Sequence, residues 1–538
     1  MTMTCFLFSC GNLSTVDETP SVMYSLKQNL VQDIHHRHVE EFYTIRQAIG
    51  EGSMGSISLV QKKKRKKDRS HDNANILSRI RKKQHEEPET NDKIIKNNEY
   101  AMKSIQMGLV SSEEMIEEMR NEIDILRNLD HPNIVKAYEV FEKNRHLYVV
   151  MELCSGGNLY ERVPYTEIES ARVVNKILSA VSYMHKNNVV HRDLKFENIL
   201  FENRSSDAEI KIIDFGLSNK FKAKETKVMN RTVGTMYTMS PQVFEGSYDH
   251  KADLWSVGVI TYMLLSNTKP FAQRKRKALI VAIFNCSYTF DKPGFDHVSK
   301  EAQDFILSLL TMSPTIRLDA DEALQSKWLD RAFPKNNRCP SSRTLNDVHV
   351  GLQSYSTQTG DFKKIALMIL AHKSSIGDIF KLRKAFDKYD ESDDGLITMG
   401  EFKKSLTEIG CLENDKEIAR MFKEIDTDNS GDIHYTEFLA ATIETQGRIQ
   451  EERLAEAFDR IDSSGKGYIS QGDVRMLLGT NFTKERVANF FKEADSDKNG
   501  KITYGEFVNA FRQTRNAELS THAMKSDIDV DDDMLHTQ

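Results

Sequence analysis

The feature that most constrains this chain is a pattern that recurs four times in its last third. Asp390, Asp426, Asp462 and Asp495 each open a segment with Gly at its sixth position (Gly395, Gly431, Gly467, Gly500) and Ile at its eighth (Ile397, Ile433, Ile469, Ile502). A Phe stands four residues before each opening Asp: Phe386, Phe422, Phe458 and Phe491. The segments start 36, 36 and 33 residues apart, the length of a helix–loop–helix unit. A regular repeat of this kind carries more weight than any single match.

The spacing has a chemical reason. A hard cation such as Ca²⁺ takes about seven oxygens, and such a loop supplies them from positions 1, 3 and 5, the backbone of 7, and a bidentate carboxylate at 12. Gly at position 6 permits the sharp turn. The loops are 390–401, 426–437, 462–473 and 495–506. The second is complete with Asp426, Asp428, Ser430, Asp432 and Glu437, and so is the fourth with Asp495, Asp497, Asn499, the backbone of Lys501, and Glu506. The first is adequate: Asp390, Ser392, Asp394, the backbone of Leu396, and Glu401. The third offers Asp462, Ser464 and Asp473 but is damaged. Lys466 puts a cation in a ligand slot, and Asp473 replaces the longer Glu. It is expected to bind weakly or not at all and to act as structural partner of the fourth. The Ile positions predict short strands that couple the hands in two pairs.

The longer N-terminal part handles phosphate. Ile49-Gly50-Glu51-Gly52-Ser53-Met54-Gly55-Ser56-Ile57 is a G-x-G-x-x-G turn. A dinucleotide site needs a helix straight after it, whereas Ser56–Val60 reads as a strand. Strand, glycine loop and strand lay backbone N–H groups over nucleotide phosphates. Tyr100-Ala-Met-Lys103 is a strand carrying one Lys, and the periodicity from Glu113 to Leu129 predicts a helix with Met115, Met119, Ile123 and Leu126 on one face. Glu122 on that helix would pair with Lys103. His191-Arg192-Asp193-Leu194-Lys195-Phe196-Glu197-Asn198 supplies a base, a phosphate-contacting Lys and a metal-binding amide, and Asp214-Phe215-Gly216 a second metal ligand. Phosphoryl transfer asks for this set: charge neutralised by Mg²⁺ and an acceptor hydroxyl held in line. Taken singly, each motif has a structural reading as a turn or a surface charge. The ordered series does not.

Residues 42–329 resemble a Ser/Thr protein kinase domain, a match that continues through Asp253-Leu-Trp255-Ser-Val-Gly258 and Arg317. Asp214-Phe-Gly-Leu-Ser218 and Val298–Ala302 are similar to the calcium/calmodulin-regulated group. With the four hands behind it, the chain resembles the calcium-dependent protein kinases over residues 42–512. That implies a multidomain α+β fold: a bilobal kinase with a β-sheet N-lobe and helical C-lobe, then an all-α domain of two paired-hand lobes. It implies Ca²⁺-stimulated transfer of the ATP γ-phosphate to protein Ser/Thr hydroxyls. On that resemblance Asp193 would accept the proton, Lys195 would steady the γ-phosphate, Asn198 and Asp214 would hold Mg²⁺, and Lys103 with Glu122 would position ATP. A calcium-responsive scaffold with weak or no catalysis is the alternative.

The sequence departs from the family pattern in three places, and the alternative rests on two of them, Gln242 and Asn158. Ser240-Pro241-Gln242 stands where Ala-Pro-Glu is usual, so Gln242 can still hydrogen-bond Arg317 but cannot neutralise it; an unpaired buried charge costs about 3–5 kcal/mol. Arg231 occupies the usual activation-loop phosphosite, with Thr232 and Thr226 as candidates nearby and Arg192 as the usual receiver of that phosphate. Asn158 replaces the acidic residue that reads a substrate Arg, which weakens any preference for basic residues, although Glu197 is kept.

Composition bounds the rest. The chain has 538 residues, 39% of them hydrophobic, and a net charge of −6, which excludes a bulk nucleic-acid-binding composition. Six cysteines without a C-x-x-C pair suggest no disulfide framework and a reducing, cytoplasmic setting. Thr2 excludes N-myristoylation. Membrane contact would require acylation of Cys5 or Cys10, or acidic lipid on a basic insert at 61–98, which also leaves nuclear import open. The chain is expected to be monomeric, with protein substrates and no specific nucleic-acid partner. The remaining divisions are a variable segment at 1–41, a junction at 330–376, the hands at 377–512 and an acidic tail at 513–538. Within the junction, Phe362–His372 is apolar on nearly every side once helical, and such a helix must be buried. The expectation is an autoinhibitory segment that exchanges the kinase half for the hands on Ca²⁺ binding, with Phe362, Ile365 and Ile369 as anchors and Lys363, Lys364 and Lys373 on acidic rims.

Overall fold

The computed structural model describes residues 25–35, 37–52, 55–63, 98–107, 113–220, 234–334, 340–410, 413–447 and 449–512. Cys5, Cys10, Ser53, Thr226, Arg231, Thr232, residues 64–97 of the insert and the acidic tail lie outside them. Among the described residues no helix is long and apolar enough to cross a membrane.

The N-lobe is a six-stranded sheet: β1 (Gln32–His35), β2 (Tyr43–Gly52), β3 (Gly55–Lys62), β4 (Glu99–Gln106), β5 (Ala137–Lys143) and β6 (His146–Met151). Their order is β1-β5-β6-β4-β3-β2. The sheet is antiparallel except for β1, which adds to β5 in parallel. The glycine turn thus joins the edge strand β2 to its neighbour β3, as the β-type residues after Gly55 predict. Lys103 sits on β4 between Ile57 of β3 and Val149 of β6. Helix α1 (Glu113–Asn128) packs Met119, Ile125 and Leu126 inward.

The C-lobe is helical. Helix α2 (Glu167–Lys186) starts at a capping box between Thr166 and Glu169 and is buried along most of its length. Helix α3 (Lys251–Ser266) is apolar all round and lies in the centre of the lobe. Helix α4 (Arg276–Phe284) follows on the surface.

Two junction helices come next, α5 (Ser342–Gln358) and α6 (Asp361–His372). The hands supply α7 (Ile376–Tyr389), α8 (Met399–Ile409), α9 (Asp415–Ile425), α10 (Tyr435–Thr442), α11 (Glu451–Ile461), α12 (Gln471–Leu478) and α13 (Lys484–Ala494), and 504–512 is helical. The loops pair as the Ile positions predict, Ile397 opposite Ile433 and Ile469 opposite Ile502.

The main core of the kinase runs through both lobes, smaller clusters flank it, and a further large core joins α5, α6 and the hands. The last of these answers what buries α6. Phe362, Ile365 and Ile369 all lie within it, and the Phe362 ring meets Phe490 at 5.1 Å and Phe507 at 5.2 Å. Lys363 reaches Glu444 (2.8 Å) and Lys364 reaches Glu424 (2.5 Å), as expected of acidic rims. Lys373 departs from expectation: it pairs with Glu139 on kinase strand β5 (3.2 Å). Helix α5, whose Val348, Leu352 and Tyr355 enter the same core, was not foreseen from the sequence.

Candidate active site and calcium loops

Lys103 projects from β4 to Glu122 on α1 at 2.6 and 2.9 Å, and to Asp214 at 3.2 Å. All three come together only because α1 packs its apolar face on the sheet and turns Glu122 toward the strand. Burial alone would lower the Lys103 pKa, but Glu122 and then Asp214 outweigh it and raise it. Burial likewise resists ionisation of Asp214, and Lys103 reverses this, so its pKa is lowered. Asp214 takes a positive φ of 60°.

Across the cleft, Lys195 Nζ lies 2.6 Å from Asp193 Oδ2. Asn198 Nδ2 donates to the Asp193 backbone oxygen (2.9 Å) and to Oδ2 (3.2 Å). The amide oxygen of Asn198 is therefore the end able to ligate a cation. The catalytic turn is held from beneath by Asp253, the first residue-pair anchor of α3, which accepts from the backbone N–H groups of His191 and Arg192, both at 2.9 Å. Sequence reasoning missed Thr235, whose Oγ1 donates to Asp193 Oδ1 (2.8 Å) and accepts from Lys195 Nζ (2.9 Å). Its signal is the neighbouring Gly234: at φ +109°, a Cβ there would lie 2.5 Å from the Arg192 carbonyl oxygen. Arg192 itself donates to the Leu217 carbonyl and to Tyr248 Oη.

Of the phosphate-loop residues, Ile49, Gly50, Glu51 and Gly52 lie on β2, and Gly55 and Ile57 on β3. A Cβ on Gly55 would fall 2.1 Å from the Ser104 carbonyl oxygen, so the turn needs Gly there. Gln242 hydrogen-bonds Arg317, as expected, and what was not expected is the ring of carbonyls around the same guanidinium. The Gln242 Oε1 accepts from Arg317 Nη2 at 3.0 Å, and the carbonyls of Lys251, Thr311 and Met312 take up further guanidinium N–H groups. Arg317 is therefore solvated by dipoles instead of being left unpaired.

The four loops differ in geometry. Asp426, Asp428 and Glu437 bring ligand oxygens within 4.8 Å of one another, and so do Asp495, Asp497 and Glu506, which fits a cation in loops two and four. Burial, with Asp428 beside it, pushes the Glu437 carboxyl up to about 8. Asp432 sits in the short strand with Ile433, Ser430 N–H donates to Asp426 and Asp428, and Asn499 N–H donates to Asp495 and Asp497. Lys501 N–H is tied to Asn499 Oδ1 (2.8 Å). In loop three the Asp473 carboxylate is occupied by the hydroxyls of Ser463, Ser464 and Ser470, and Asp462 takes the backbone N–H of Lys466.

Loop one is turned into the kinase. Asp390 and Asp394 are buried, and Leu396 packs on the kinase core. The Asp394 carboxylate accepts from Lys186 of α2 and from its own loop at Leu396 N–H (3.0 Å). Asp387, just ahead of the loop, pairs with Lys176 of α2 at 2.7 Å. Ser392 N–H donates to Glu401 at 2.8 Å. Burial, then Asp394 and Asp393, raise the Asp390 pKa well above the carboxylate range. Hand two completes the interface: Asp130 accepts from Thr436 N–H (2.8 Å) and Oγ1 (2.6 Å).

A protein kinase domain model matches residues 90–329, and an EF-hand domain pair matches 379–443 and 451–512. The chain is 34% identical over 401 residues to calcium-dependent protein kinase 5 of Plasmodium falciparum (isolate 3D7), covering 73% of this chain and 70% of the relative. It is 35% identical over 427 residues to calcium-dependent protein kinase 4 of the same organism (76% and 80%). It is 33% identical over 438 residues to calcium-dependent protein kinase 7 of Oryza sativa subsp. japonica (80% and 79%).

Proposed function

The chain belongs to the calcium-dependent protein kinase family, and on that premise we propose how its own residues divide the work of Ca²⁺-activated Ser/Thr phosphorylation. Asp193 accepts the proton of the substrate hydroxyl. Lys195, fixed by Asp193 and Thr235, steadies the transferring phosphoryl group. Lys103, oriented by Glu122, holds the α- and β-phosphates of ATP, under a glycine turn formed by Ile49–Ile57. Mg²⁺ held by Asn198 and Asp214 neutralises the charge that spreads over the phosphate oxygens. The observation that carries this reading is the Lys103–Glu122–Asp214 cluster facing Asp193, Lys195 and Asn198 across one cleft.

Ca²⁺ enters through the hands. Loops two and four are the sites with converging carboxylates, loop one is shared with the kinase, and loop three is structural. Helix α6 is the regulated element. Held in the hands, it leaves the kinase cleft to substrate. When the hands release it, its apolar surface must find other cover, and the kinase half is the neighbour. The division is 42–329 for catalysis, 330–376 for the switch and 377–512 for sensing.

The test is phosphotransfer with Ca²⁺ and with chelator. Chelator should lower the wild-type rate, and Asp193→Asn should lower the Ca²⁺-stimulated kcat by at least about a thousandfold. Truncation after Leu329 should give activity indifferent to chelator. Equal rates for the wild type, the chelated enzyme and Asp193→Asn would sink the assignment; a folded but inactive truncation would sink the switch.

A further inference from the structure

The substrate side of the cleft is basic, and this deepens the kinase reading on which it rests. From Leu254 to Phe290 the chain contains no Asp or Glu, yet it carries Lys269, Arg274, Lys275, Arg276 and Lys277. All five cations are exposed. No carboxylate among the described residues pairs with any of them. Four of them crowd the start of α4, where Lys275 is the N-cap and the first turn has no acidic residue. Cations there oppose the helix dipole, an arrangement that costs stability unless an outside anion is met.

Their place in the fold ties them to the reacting centre. Thr235 bonds Asp193, and Tyr237 stands two residues further along the same wall. The Tyr237 hydroxyl donates to Glu197 Oε2 at 2.8 Å and lies 3.4 Å from Tyr160 Oη. Lys269 Nζ sits over the Tyr237 ring, 3.9 Å from its centroid. Phe271, stacked on Trp255 at 5.8 Å, anchors the loop that then carries Arg274–Lys277. Five residues reach at most ~17 Å, so Arg274 lies within about five residues of an extended peptide from Lys269.

Two acidic groups on this wall already accept hydrogen bonds. Glu197 holds Tyr237. The Glu161 carboxylate is folded back on the Asn158 backbone N–H at 3.0 Å. Asn158, in the position that reads a substrate Arg in related kinases, is uncharged and caps the turn at Tyr160 N–H (2.9 Å). A basic peptide would meet carboxylates that already accept hydrogen bonds, and five cations that have no carboxylate partner among the described residues.

We propose that this kinase selects acceptor peptides bearing Asp, Glu or phosphorylated side chains near the Ser or Thr, read by Lys269 and the Arg274–Lys277 run. The selection is electrostatic, so salt weakens it.

The experiment uses the full chain with Ca²⁺ and ATP on three synthetic peptides that share a Ser acceptor and differ only in acidic, neutral or basic flanks. Expected is a kcat/KM for the acidic peptide about tenfold above the neutral one and a basic peptide below both, with the spread shrinking as salt rises. Replacing Arg274, Lys275, Arg276 and Lys277 together by Glu should move the preference toward the basic peptide, a gain that misfolding does not produce. A wild-type preference for the basic or the neutral peptide overturns the proposal while leaving the kinase assignment standing. An acidic preference untouched by the charge reversal and by Lys269→Ala also overturns it. Transfer to none of the peptides overturns the kinase assignment itself, and this proposal with it.

Discussion

Arg317 keeps a guanidinium at 1% exposure, wedged beneath Trp255 with its carbon 5.2 Å from the ring. Burial pulls its pKa down to about 10, which leaves it charged at neutral pH. Carbonyl oxygens can hold such a charge where a carboxylate is missing, because each guanidinium N–H finds a partial negative end. Gln242 is suited to that setting on both sides. Its oxygen accepts from Arg317, and its Nε2 donates to the Met312 carbonyl at 2.6 Å. A Glu would keep the first bond and turn an oxygen against the second carbonyl. Gln242→Ala should therefore lower stability by about 1–3 kcal/mol, since it strips one partner from a buried charge and one from a buried carbonyl. Denaturant unfolding of the variant checks this, and an unchanged midpoint would show that the carbonyl cage suffices alone.

At the scale of elements, the calcium loops are built alike and used differently. Loop one serves as a docking surface because α2 offers Lys176 and Lys186 where the hand presents Asp387 and Asp394. A Cβ on Gly395 would lie 2.1 Å from the His131 ring, so the turn that serves calcium also allows the close approach. Lys186 and a bound cation compete for one carboxylate. Lys186→Met should raise the Ca²⁺ affinity of this hand a few-fold, in line with a partly exposed ion pair of about 0.5–1 kcal/mol, and add a resolvable site in calorimetric titration. An unaltered binding isotherm would separate docking from calcium. None of this was legible in the sequence, because Lys186 and Asp394 are brought together by packing and share no local pattern. The loops, the glycine turn and the burial of α6 were legible, since each is written in spacing over a dozen residues or fewer. The strap at 25–35 was not. Its Asn29 amide donates to the carbonyls of Met476 and Leu477 (3.0 and 3.1 Å), and its Gln28 amide donates to Asn128 of α1 (2.7 Å). A short polar segment with partners a hundred and more residues away gives no periodic signal.

At the scale of the whole molecule, the kinase half and the calcium half meet where α6 ends. His372 Nε2 lies 3.1 Å from the Ala137 carbonyl oxygen, and its ring stands edge-on to Tyr138 at 5.6 Å. Burial and the neighbouring Lys136 push its pKa down to about 3, with Asp130 and the Ala137 carbonyl opposing and Lys373 adding to the depression. Lys373 is in turn held by Glu139, which also takes Lys62 at 3.0 Å and Tyr43 Oη at 2.7 Å. A His whose pKa is depressed on folding is bound neutral. Its contribution is intact above the unfolded value near 6.5 and is lost progressively as the pH falls toward 3. At pH 5 the loss is about 2 kcal/mol, one and a half pH units below the unfolded pKa. His372→Gln can still donate to Ala137 but cannot take up the proton. Between pH 7 and pH 5 the wild type should lose about 2 kcal/mol more stability than this variant, read by unfolding at both pH values. The loss should appear first where the halves meet, as faster hydrogen exchange along β5 and the last turn of α6. Equal pH sensitivity of the two proteins would mean that His372 is protonated without parting the halves.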